Sequence, residues 1–124
     1  MKFETTITLP KELLSEGNKT DHWSKKYKRN KLKDNYLIAY CSNINITLPA
    51  LIKITRIAPR ALDFDNLHTT MKHYIDFLSS KLIPGLRSGR ADSDPRLKFE
   101  LLQEKGKVRQ YSLKIEITTL KIES

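Results

Sequence analysis

The sequence predicts a single α+β domain in the order β-α-β-α-β-β, a mixed sheet with its helices packed on one face. Three observations predict it. The chain has 124 residues, 39% of them hydrophobic, which suits one core and leaves little room for a second. Three segments alternate apolar and polar residues, the period of a half-buried strand, and a fourth is rich in β-branched residues. Two longer segments repeat apolar residues at three and four, the period of a helix facing a core.

Phe3, Thr5, Ile7 and Leu9 alternate ahead of Pro10, so residues 2–9 read as the first strand. Residues 11–21 contain Gly17, Asn18 and Asp21 and read as a loop. A first helix is expected over 23–42, with Trp23, Tyr27, Tyr36, Leu37, Tyr40 and Cys41 as its apolar positions. Residues 50–58 are rich in β-branched side chains and read as the second strand. From residue 66 to 81, Leu67, Met71, Tyr74, Ile75 and Leu78 define the second helix, with Leu82 continuing the repeat. Pro84, Gly85, Ser88 and Gly89 mark a loop reaching to Pro95. Leu97, Phe99 and Leu101 form a third strand. Residues 104–107 read as a hairpin turn, with Gly106 free to take a positive φ. Tyr111, Leu113, Ile115 and Ile117 form the fourth strand.

The formal charge is +9, from 23 Lys and Arg against 14 Asp and Glu. Such a surplus favours a polyanionic partner, because clustered cations displace counterions from nucleic acid. Lys25, Lys26, Lys28, Arg29, Lys31 and Lys33 share one short stretch after His22 and Trp23. A solvated helix face would look similar. No apolar run approaches the roughly 20 residues a spanning helix needs, and residues 1–10 lack a signal peptide's apolar core. The lone cysteine, Cys41, suits a reducing compartment. The expectation is a soluble, cytoplasmic protein that does not enter membranes.

The acids converge elsewhere. Asp63, Asp65, Asp76, Asp92 and Asp94 all lie in the middle of the chain. If residues 62–66 are extended, alternation puts Asp63 and Asp65 on one face and Leu62 and Phe64 on the other. Neighbouring carboxylates repel unless one protonates or a cation sits between them. Mg²⁺ meets that need with its preference for oxygen ligands. A third carboxylate, Asp92 or Asp94, comes from the loop before the third strand. Three carboxylates and a divalent ion can hydrolyse a phosphodiester, the metal polarising the phosphoryl oxygen and acidifying the attacking water. Lys72 follows Asp65 by two helical turns and can share its face with Thr69 and Asp76. The same Asp-x-Asp-Asn pattern also fits a helix N-cap, and Lys72 also fits as a solvent-facing partner of Asp76.

These residues resemble the RusA-like Holliday junction resolvases of bacteria and phages. The likeness rests on Asp63-Phe64-Asp65-Asn66-Leu67 at a helix start, Lys72 on that helix, and Asp92-Ser93-Asp94-Pro95-Arg96 downstream. Residues 103–107 and the His22-Trp23 pair before a basic helix are similar as well, so the likeness runs from Leu9 to Ile117. Ala91 stands where many members carry the first of two aspartates, and the loop 83–90 is longer than in many relatives. The resemblance implies Asp63, Asp65 and Asp92 as metal-binding catalytic carboxylates, with Lys72 assisting. It implies one or two Mg²⁺ ions, with Mn²⁺ able to substitute, and a homodimer acting on a four-way DNA junction. Lys25, Lys26, Lys28, Arg29, Arg60, Arg87, Arg90 and Arg96 are the expected DNA contacts. A bacterial cytoplasm, with a phage or prophage gene as one source, is the expected setting. The competing expectation is a DNA-binding protein of the same fold without cleavage; a protein-interaction module is a more distant third.

Other chemistry is weakly supported. His68 and His73 are five apart, off the spacing that puts two zinc ligands on one helix face. Cys41 reads as buried filler. Trp23 can stack on a base, although a lone aromatic at a helix start more often anchors a core.

Overall fold

The β-branched segment Ala50–Ala58 becomes β2, an interior strand of the sheet. The computed structural model describes residues 1–15, 22–84 and 94–120. The other strands are β1 (Lys2–Thr8), β3 (Leu97–Lys105) and β4 (Ser112–Thr119). Their spatial order is β1-β4-β2-β3. β2 runs parallel to β3 and antiparallel to β4, and β4 runs antiparallel to β1. The helices are α1 (Trp23–Cys41) and α2 (Phe64–Leu82). The expected order and the mixed sheet are both present.

Register separates the two faces. Ile7, Leu113 and Arg56 lie in one cross-strand row, and Ile117, Ile52 and Phe99 in another. Ile7, Ile52, Ile54, Leu113, Ile115 and Ile117 are fully buried under the helices. The opposite face carries Lys2, Glu4, Lys53, Glu100, Lys114 and Glu116, joined by ion pairs of 3.6–3.8 Å. Exposed pairs of this kind contribute little stability; burial of the other face dominates.

Four local expectations change. Residues 104–107 do not close a hairpin, because β3 and β4 flank β2 instead of pairing with each other. The connection passes over the end of β2, where the Gly106 amide donates to the Ala58 carbonyl at 2.8 Å. The approach is close, since a Cβ at Gly106 would lie 3.1 Å from side-chain atoms of both Ile57 and Gln110 and push them aside by a few tenths of an ångström. The positive φ, 63°, falls at Arg109. Residues Lys11–Leu14 form a 3-10 turn, and Leu13 and Leu14 are fully buried in the core.

α1 also differs. Its buried positions are Lys33, Leu37 and Cys41, a row at i, i+4 and i+8. Leu37 and Cys41 are buried as expected and Tyr36 packs on the core, but Trp23, Tyr27 and Tyr40 are exposed. The stripe therefore holds only in the second half of the helix, and the Trp23 anchor does not form. Lys33 leaves the expected basic surface: its ammonium lies 5.3 Å from the Tyr74 ring centroid, a cation–π distance. Finally, α2 begins at Phe64, so residues 62–66 are not an extended run.

Candidate active site

The acidic end is built from a brace outward. Arg56 points inward on β2 and is 4% exposed. Its Nε donates to the Leu14 carbonyl at 2.8 Å, and its Nη1 donates to the Arg60 carbonyl at 2.7 Å. Burial lowers its pKa from the ordinary guanidinium value. Directly opposite on β3, Gln103 makes a two-way clamp on Leu62. Its Nε2 donates to the Leu62 carbonyl and its Oε1 accepts from the Leu62 amide, both at 2.8 Å. The chain entering Asp63 is thereby held by two elements. Sequence reasoning missed Arg56 and counted Gln103 only within the 103–107 turn, without its clamp. The available signal was an arginine in the inward phase of Ile52, Ile54 and Arg56.

Asp63 caps α2, its Oδ1 accepting from the Asn66 amide at 2.8 Å and its Oδ2 from Asn66 Nδ2 at 3.0 Å. Each oxygen keeps a further lone pair, so capping leaves room for a cation. Asp65 lies in the first turn and is exposed. The helix geometry replaces strand alternation as the reason the two acids share one end. Both stand where the helix dipole favours negative charge.

Thr69 Oγ1 donates to the Asp65 carbonyl at 3.0 Å. Lys72 is exposed on that face, about 10 Å further along the axis. Asp76 is half-buried further along it. Beside this face an open groove of about 520 Å³ runs between α2 and β3, with Phe64 and His68 on one wall and Phe99 and Leu101 on the other. Phe64 is 74% exposed at the groove.

Asp92, Arg87 and Arg90, together with Ala91, lie outside the described residues. Asp94 is described and does not join the acidic end. It sits beside Leu97, six strand residues from Gln103, a separation of about 20 Å. Its carboxylate accepts from Arg96 Nη2 at 2.9 Å, Arg96 Nε at 3.1 Å and the Arg96 amide at 2.9 Å. Those bonds hold its pKa below the ordinary carboxylate value. Arg96, expected on DNA, is thus paired with Asp94. Among the described residues, no three His, Cys, Asp or Glu side chains converge on a metal site.

The basic residues occupy the same end as Asp63 and Asp65. β1, β2 and β3 run parallel to one another, so α1 and α2, which connect them, each return against β2. They meet where His73 Nε2 contacts Asp34 Oδ1 at 2.7 Å. That contact is eleven residues into α1 and nine into α2, so their N-termini differ by only about 3 Å in axial level. Lys25, Lys26 and Lys28 are exposed, Arg29 is half-buried, and Arg60 is exposed three residues before Asp63.

The remaining candidates resolve simply. His73 is engaged by Asp34, and His68 packs near Phe64 with ring centroids 6.3 Å apart. Cys41 is buried, and burial pushes its thiol pKa up to about 11, consistent with inert filler. No helix among the described residues is long and apolar enough to cross a membrane. Neither any family model nor any curated protein matches the chain.

Proposed function

We propose that this protein is a metal-dependent endodeoxyribonuclease that cleaves branched DNA, with the four-way junction as its substrate. One observation carries the reading: two exposed carboxylates, Asp63 and Asp65, stand on a braced helix end beside a dense group of cations. The likeness of Asp63 to Leu67, Lys72 and Asp92 to Arg96 to the RusA-like resolvases adds the substrate and the homodimer. The setting in this reading is a bacterial cytoplasm, from a host, phage or prophage gene.

The donor set fits a hard cation, since carboxylate oxygens are the ligands Mg²⁺ and Mn²⁺ prefer. Asp63 and Asp65 would hold it; Asp92, the third carboxylate that the resemblance implies, lies outside the described residues. When bound, the ion supplies Lewis acidity toward the phosphoryl oxygen and the attacking water. Lys72 places a positive charge along the same face, where it offsets charge on the scissile phosphate. Lys25, Lys26, Lys28, Arg29 and Arg60 bind the DNA arms through phosphates, with Arg87 and Arg90 assigned to the same work; Arg96 would have to exchange Asp94 for a phosphate to join them. Such contacts position the duplex without reading sequence, so junction shape selects the substrate.

Labelled four-way junction should be cleaved in Mg²⁺ and remain intact in EDTA. Asp65→Asn should abolish cleavage while keeping junction affinity. Binding without metal-dependent cleavage in the wild type would sink the enzyme. That outcome belongs to the second reading, a DNA-binding protein of the same fold without catalysis. Affinity indifferent to salt would exclude both readings.

A further inference from the structure

We infer that the exposed Trp23–Tyr27 face of α1 is a stacking platform for unpaired bases of a nucleic-acid strand. α1 is a 19-residue helix whose first fully buried side chain is Lys33. Over residues 23–32 it buries nothing completely, yet it carries its tryptophan and one of its three tyrosines there. Trp23 is 73% exposed and Tyr27 57%. Aromatic side chains of this size ordinarily bury most of their surface.

The rings are ordered into a stripe. Trp23 and Tyr27 are four apart and share a face, separated by about 6 Å of axial rise. The His22 ring lies against Trp23 with centroids 5.5 Å apart. Lys31, one turn further, holds its ammonium 5.6 Å from the Tyr27 ring centroid. Aromatic faces spaced along a cationic groove are how proteins hold single strands, because every base offers a π-face.

Charge selects the occupant. Residues 22–32 carry five Lys and Arg and no Asp or Glu. A second copy docking this face on itself would oppose like charges. An apolar peptide would leave the cations unanswered. A polynucleotide matches the cations through its phosphates and the rings through its bases. The first turn of α1 also lacks any acid, so its cations lie at the positive end of the helix dipole and repel it. A bound polyanion relieves that repulsion.

The inference rests on the nucleic-acid half of the proposed function and not on cleavage. Its test therefore runs in EDTA, where cleavage plays no part, so the two ideas fail separately. Trp23 is the only tryptophan, and its fluorescence reports directly on the platform. Oligo(dT) at low salt should quench it, whereas an abasic oligonucleotide of equal length should bind without quenching. Tyr27→Ala should weaken oligo(dT) binding about tenfold or more, with Tyr27→Phe retaining it and abasic binding unchanged. Equal quenching by the abasic strand would overturn the inference. So would unchanged oligo(dT) affinity in Tyr27→Ala, or a second copy shown to shield Trp23 as protein concentration rises. Circular dichroism should show α1 intact in both variants, since Tyr27 has no core role to lose.

Discussion

α1 and α2 are both 19 residues long, run in the same direction and begin at the same end of the molecule. Their first turns carry opposite charge. α2 opens with Asp63 and Asp65, in harmony with the helix dipole, on a backbone clamped by Gln103 and Arg56. α1 opens against its dipole, with Lys25 and Lys26 near a cap in which His22 Nδ1 accepts from the Ser24 amide at 3.3 Å. In the proposed reading the α2 end would hold a small cation in fixed geometry, and the α1 end would answer a long polyanion that needs no fixed geometry. Rigid support is found where ligand distances must be held closely. The proposed phosphate contacts of α1 would need no such support.

The brace gives the largest test of that contrast. Arg56→Met removes donors from the Leu14 and Arg60 carbonyls in a buried setting. Removing charged donors from buried carbonyls should cost about 2–4 kcal/mol in urea unfolding. Arg56→Lys should recover only part of this, because an ammonium cannot span two carbonyls as a guanidinium fork does. A change near zero would mean that the acidic end is held by backbone packing alone, and the contrast with α1 would weaken. Substitutions at exposed Lys26 or Lys28, by comparison, should stay within about 0.5 kcal/mol of wild type.

What the sequence displayed and what it hid follow the same division. Strand and helix positions were legible because alternation and the three–four repeat come directly from burying one face. The mixed order β1-β4-β2-β3 was not, because period-two alternation is blind to which strands become neighbours. The turn at 104–107 carried ordinary hairpin chemistry, yet Gly106 serves a crossing over β2. At the site, Asp63 and Asp65 stood out by residue type, but their shared location comes from a helix start and not from a strand. Arg56 and Gln103 stayed hidden because their partners are backbone atoms of residues 14, 60 and 62, which no side-chain motif records.

A smaller effect separates two roles of Asp63. As the N-cap it satisfies the Asn66 amide, and Asp63→Ala should lower stability by about 1 kcal/mol. Asp63→Asn keeps a capping oxygen and should lose only a few tenths. Both variants lose a charged oxygen ligand, so both should bind Mn²⁺ more weakly in titration calorimetry. If Asp63→Asn binds Mn²⁺ as wild type does, Asp63 is a cap only and the cation site at α2 must rest on other residues.

The smallest effect has the most unusual sign. Lys25 is exposed in the first turn of α1, where a cation opposes the dipole and an anion complements it. Lys25→Glu should therefore raise stability, by about 0.3–1 kcal/mol at low salt, with Lys25→Gln between the two. The same change should weaken DNA binding. It should also flatten the salt dependence of affinity, by about 0.9 in the log–log slope for one lost phosphate contact. Opposite movement of stability and affinity is what a first turn shaped for a polyanion requires. A variant that loses stability and keeps its salt slope would show α1 opening with an ordinary solvated surface. The opposition between the two helix ends would then reduce to the acidic end alone.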